Sequence, residues 1–268
     1  MKKSLRYLSF IYLLFLLLIS CSGMLSGVMK NVIYYLAFVL PFVVAFVIKR
    51  RTGVPFSAPK LSFSPKSAKI VLGLLFPCVT IVFAVSFLCS LLFTSLGLSS
   101  AQTDVSGNIA LVIVMHALLP SICEEALFRY LPMAFIAPYS KKWCIIISSL
   151  LFALIHGNIF QIPYAFVAGL IFAAVDIALD SIVPSLILHF MNNLISILWM
   201  RMDAFFEILI ILISLSAVSA LYLFLIRRSL KTEFSALFSD KEKPEFSYES
   251  VLLVVLLLVI SFTNLLIY

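Results

Sequence analysis

Glu124-Glu125-Ala126-Leu127-Phe128-Arg129 places two carboxylates and a guanidinium inside an apolar run, where each ionisable group costs about 2.5–3.5 kcal/mol to insert. Glu125 and Arg129 are four residues apart, so on a helix they share a face and can pair. Glu124 is turned by about 100° from its neighbour and stays available for chemistry. A carboxylate in a partly wet, low-dielectric cavity suits proton transfer from water. Two further i, i+4 pairs follow, Phe152 with His156 and His189 with Asn193. The first offers an imidazole beside an aromatic, a partner for Glu124. The second offers two hydrogen-bond donors on one face, the kind of pair that stabilises an oxyanion when a carbonyl is attacked. Taken singly, Glu125 and Arg129 equally describe a helix-end ion pair, and His189 with Asn193 equally describe polar glue between helices.

The elements that position these groups are membrane helices. Of 268 residues, 63% are hydrophobic and 12% charged, and the mean hydropathy is +1.19, far from the composition of a soluble domain. Apolar runs predict spans near 7–28, 32–48, 70–98, 109–128, 143–160, 162–179, 182–200, 204–226 and 250–267. That is an all-α polytopic bundle of about 8–9 spans, and the close 143–160 and 162–179 pair allows a broken or re-entrant helix. The expected organisation is an N-terminal hairpin and linker over 1–69, a membrane core over 70–200, and C-terminal spans over 201–268 with a second linker at 229–249.

Charge orients the bundle, because cytoplasmic loops carry the excess of Lys and Arg. With the N-terminus cytoplasmic, Lys2, Lys3, Arg6, Lys49, Arg50, Arg51, Lys60, Lys66, Lys69, Lys141, Lys142, Arg227, Arg228, Lys231, Lys241 and Lys243 fall inside, and only Lys30 and Arg201 outside. The net charge of +7 is thereby explained by topology rather than by nucleic acid. Leu18-Ile19-Ser20-Cys21 resembles a lipoprotein cleavage box, but the apolar run continues past it, so the first segment reads as an uncleaved anchor. Pro55, Pro59 and Pro65 mark 52–69 as a linker. The five cysteines have neither disulfide nor zinc spacing, and Cys123 beside Glu124 reads as inert. His116 reads as a core or interface histidine, and Asp176 and Asp180 as interface or cap. Gly169 and Ala173 are spaced for close helix contact.

The three motifs in order on successive apolar helices, with Gly169 and Asp180-Ser181-Ile182-Val183-Pro184-Ser185 approaching the third, resemble the CPBP family of intramembrane proteases. That family joins type II CAAX prenyl endopeptidases with bacteriocin-processing and immunity-associated (Abi) membrane proteins, and the resemblance covers about residues 109–200. It implies a glutamate-dependent endopeptidase in which Glu124 and His156 activate water, His189 and Asn193 hold the oxyanion, and Glu125 and Arg129 support the site. It implies a membrane-associated substrate such as a CAAX-type tail, a bacteriocin leader or a pheromone precursor, and a multi-pass place in the cell membrane. No cofactor is expected, since HExxH is absent and a zinc set would have to be gathered from three helices. The rival reading is a noncatalytic immunity or regulatory factor that binds a peptide or partner membrane protein. A transporter with a proton relay is a third, disfavoured by the lack of an internal repeat. Measured along the expected spans, Glu124 and His189 lie about 10 Å from the cytoplasmic ends. The expectation is a cavity opening inward, with His156 fitting less well.

Overall fold

A computed structural model describes residues 1–99, 105–202, 205–227, 231, 234 and 245–267, with backbone alone at 205 and 261–267. Nine helices account for it: α1 (Lys2–Gly23), α2 (Gly27–Thr52), α3 (Pro65–Ser95), α4 (Ile109–Ile136), α5 (Lys141–Leu154), α6 (Ile162–Leu179), α7 (Val183–Arg201), α8 (Phe205–Leu225) and α9 (Tyr248–Ile267). Among the described residues seven helices, all but α5 and α9, are long and apolar enough to cross a bilayer. The chain is an all-α, multi-pass membrane protein. Most of the linker expected at 229–249, with Arg228, Lys241 and Lys243, lies outside the described residues.

Local chemistry sets the ends. Ser64 accepts the Ser67 amide at 3.1 Å ahead of Pro65, Asn108 accepts the amides of Ala110 and Leu111, and Ser140 accepts that of Trp143; each satisfies amides that a helix start leaves unpaired. Several boundaries differ from expectation by a few residues, and two of the differences bear on the site. The helix expected over 109–128 runs on to Ile136, and the span expected over 143–160 is the 14-residue α5, ending at Leu154. At 1.5 Å per residue Glu124 then lies about 18 Å from the end of α4, and His156 about 22 Å beyond the start of α5. The mismatch in depth disappears.

Helix α4 continues past 128 by winding through two π turns, Val114–Leu118 and Ala126–Tyr130. Each is followed by a Leu-Pro step, Leu119-Pro120 and Leu131-Pro132. A proline lacks the amide that its i−4 carbonyl needs, so the ladder shifts register and other groups serve the exposed carbonyls. Tyr12 Oη donates to the Leu127 carbonyl at 2.6 Å, Arg129 Nη1 to that of Phe128 at 3.0 Å, and Ser121 Oγ to that of Ala117 at 2.6 Å.

The linker between α2 and α3 is extended and stitched inward. Ser57 N donates to the Ala134 carbonyl, Lys60 exchanges backbone hydrogen bonds with Asp180 and Ile182, and Ser181 Oγ donates to the Ser62 carbonyl. It occupies the gap between the end of α4 and the α6–α7 turn, so that turn lies within the bundle end and His189 lies deeper than its place in α7 alone suggests. Helices α5 and α6 meet where Gly169 faces Ser149; a Cβ on Gly169 would sit 3.0 Å from the Ser149 Cα. The close contact expected at Gly169 is present.

Candidate active site

Three helices converge on one cavity of about 410 Å³. Helix α4 contributes Glu124, the turn after α5 His156, and α7 His189 and Asn193, so all four residues singled out in the three motifs line it. Glu125 and Arg129 do not. Both are wholly buried behind the wall, whereas the Glu124 side chain remains about a quarter exposed, at 26%. One step of 100° along the helix has given adjacent carboxylates opposite surroundings.

Behind the wall, the Arg129 Nε lies 3.4 Å from Glu125 Oε2, and His189 Nδ1 lies 2.8 Å from Glu125 Oε1. A carboxylate oxygen next to a ring nitrogen accepts, so Nδ1 carries the proton and donates to Glu125. In the neutral ring Nε2 then carries the lone pair, 3.7 Å from Glu124 Oε2, too long for a direct hydrogen bond and close enough for a shared water. His156 is oriented the same way: its Nδ1 donates to the Phe152 carbonyl at 2.7 Å. Both imidazoles therefore offer Nε2 away from these protein acceptors.

Phe152 is the hinge of the packing. The Arg129 guanidinium lies 4.5 Å from its ring centroid and 5.8 Å from that of Phe172. Phe152 meets His156 and His189 edge to face at 5.1 and 5.4 Å, and Phe172 stacks on His189 at 5.4 Å. Aromatic faces near a buried guanidinium partly compensate its lost hydration. Asp176, also wholly buried, accepts the Ser185 amide at 3.0 Å and caps the first turn of α7, so the cap reading holds for it. Asp180 sits at φ 50° at the end of α6 and pairs with Lys60 at 3.1 Å, where both side chains are exposed.

Several lining residues were not anticipated from the sequence, among them Asn192 and Tyr164. Asn192 lies beside the motif residue and donates from Nδ2 to Asn193 Oδ1 at 3.4 Å. Tyr164 lines the opposite wall; nothing in its sequence setting marks it among so many aromatics. His116, expected in the core or at an interface, is exposed and lines the same cavity as Glu124. Among the described residues no three His, Cys, Asp or Glu side chains converge as a metal-ligand set.

The expectation was a cavity opening inward, toward the basic loops. The lining runs from His189 and Phe172 toward Val105, Trp199 and Met200, at the end of the bundle away from the basic loops.

Comparison with known proteins adds one finding. The family model described as Rce1-like, type II CAAX prenyl endopeptidase Rce1-like, matches residues 106–195, the stretch that holds all three motifs. No curated protein and no solved structure matches the chain. The match covers about a third of the chain, and it supports the CPBP family of CAAX-type membrane proteases for this motif-bearing core.

Proposed function

We propose that the protein is a glutamate-dependent intramembrane endopeptidase, acting on a membrane-associated peptide or protein in the cell membrane. The observation that carries the reading is the convergence of Glu124, His156, His189 and Asn193 on one cavity, with Glu125 and Arg129 buried behind His189. In this reading Glu124, assisted by His156 Nε2, takes a proton from a water as its oxygen attacks the peptide carbonyl. The tetrahedral oxyanion is met by the Asn193 amide and by His189 in its doubly protonated form, whose charge the Glu125 carboxylate compensates. Collapse breaks the C–N bond, and the proton held by Glu124 passes to the leaving nitrogen. One water is consumed, giving a carboxylate and an amine.

No metal takes part in this scheme. CAAX-type tails, bacteriocin leaders and pheromone precursors are the substrate classes that fit the family's naming. The test compares wild type with Glu124→Gln and His189→Ala in purified membranes, reading new peptide ends by mass spectrometry with and without a chelator. Cuts made by wild type alone, and unaffected by chelation, are expected. Cuts retained by Glu124→Gln overturn the role of the glutamate; cuts lost on chelation together with stoichiometric copurified zinc overturn the metal-free scheme.

A further inference from the structure

The direction in which the cavity opens is set by two independent features. The first is the distribution of basic residues. Salt bridges and packing bring the ends of several helices together: Arg6 pairs with Glu249 at 2.8 Å, Ser4 Oγ donates to Tyr139 Oη, Lys60 lies against Asp180, and Gly73 packs on Leu223. All the described lysines and arginines other than Lys30, Arg201 and the buried Arg129 fall at this end, which the excess of positive charge makes cytoplasmic. The second is the course of the cavity. At the basic end it stops at Phe172 and at His189, which is 4% exposed, with Glu125 and Arg129 sealed behind them. At the other end it reaches His116, Val105, Trp199 and Met200, and Met200 is half exposed.

A polar stripe connects that mouth to the chemistry. Ser196, Asn193, Asn192 and His189 follow one face of α7, with Gln161 opposite them. Groups at this spacing hydrogen-bond water along a path that apolar side chains would leave dry. The remaining wall near the mouth is apolar and aromatic, through Val82, Phe83, Trp199 and Met200, and no lysine or arginine lines the cavity. A concave, mostly apolar site with a few convergent polar groups selects an apolar ligand that carries its polar bond to the deep end.

From these we infer that the cavity takes its substrate and its water from the non-cytoplasmic side, and that among the substrate classes above it takes an apolar peptide or membrane-protein segment presented on that side, not a cytoplasmic CAAX-type tail. The inference rests on the peptidase reading for the nature of the substrate and stands apart from it for the direction of access. Arg201, one of two described basic residues at this end outside the buried cluster, has a role there. Its Nε donates to the Val105 carbonyl at 2.6 Å and its Nη2 to that of Gly107 at 2.7 Å, holding the rim of the mouth.

The test reads access alone and needs no cleavage. In a chain whose five native cysteines are replaced by alanine or serine, single cysteines are introduced as Ser196→Cys and His116→Cys in the cavity. Met24→Cys, 86% exposed at the same end, and Arg51→Cys, exposed at the basic end, are the references. A charged, membrane-impermeant methanethiosulfonate is applied to intact cells and to permeabilised ones. The expected result is modification of Ser196→Cys, His116→Cys and Met24→Cys in intact cells, with Arg51→Cys modified only after permeabilisation. Modification of the cavity positions only after permeabilisation, or in neither condition, overturns the inference. If the cysteine-free chain does not accumulate in the membrane, the same substitutions in the native background, read by mass spectrometry of the modified peptides, give the same discrimination. Absence of proteolysis in the separate cleavage assay would leave this result standing, so the two readings fail independently.

Discussion

Glu124 and Glu125 are neighbours with different tasks, because one faces the cavity and the other is wholly buried between Arg129 and His189. Glu124→Gln keeps the shape and removes the proposed base, so on the proposed mechanism cleavage is expected to fall by about 10²–10⁴-fold with the protein still inserted in the membrane. Asn193→Ala removes one proposed oxyanion donor, and on that proposal kcat is expected to fall about 10²–10³-fold with little change in KM, measured on the same peptide. Arg129→Met has a different signature. It strands the Glu125 carboxylate without its cation, which is expected to cost about 3–5 kcal/mol and to lower the unfolding midpoint in detergent, whether or not cleavage is assayed. The pairing of Glu125 with Arg129 was legible from a spacing of four residues. The bond from His189 to Glu125 was not, because it joins residues 64 apart in sequence and periodicity within one helix says nothing about which neighbour it meets.

At the scale of elements, the apolar runs located α1 to α9 among the described residues, and the prolines at 55, 59 and 65 located the extended linker. What they did not show was where α4 stops. Pro120 and Pro132 stand inside an apolar run in which proline ordinarily ends or kinks a helix; here the π turns and the donors from Tyr12, Ser121 and Arg129 carry the backbone past them. The added length sets Glu124 at the depth of His156. The α5–α6 contact sets the lateral distance, since α5 carries Phe152 to the site and α6 carries Phe172. Gly169→Val places side-chain atoms where the Ser149 backbone already lies 3.0 Å from a Cβ, and backbone cannot yield as a flexible side chain does. The helices must separate, at a cost of about 1–3 kcal/mol or more. The expected outcome is a lowered unfolding midpoint together with a loss of activity; Gly169→Ala should show both effects more weakly. A variant that unfolds like wild type would show that α5 and α6 shift without penalty.

For the whole molecule, the positive-inside pattern and the cavity are two gradients along the same axis, pointing in opposite directions. Basic residues gather at the end where the extended linker closes the bundle, and the polar lining gathers toward the other. Arg201 is the exception that connects them. A lone arginine on the non-cytoplasmic side gains nothing from topology, but its two hydrogen bonds to the Val105 and Gly107 carbonyls fix the rim of the cavity to the end of α7, the helix that carries His189 and Asn193. Arg201→Met keeps much of the apolar stem and deletes both donors. If the rim governs entry, reagent should reach a cysteine at position 196 several-fold faster in this variant. KM for peptide should change while kcat, set three turns deeper, stays within about twofold, since only interactions made in the transition state alter the chemical step. A fall in kcat with KM unchanged would instead mean that Arg201 acts through α7 on the placement of Asn193 and His189, making the rim part of the catalytic framework rather than of the entrance.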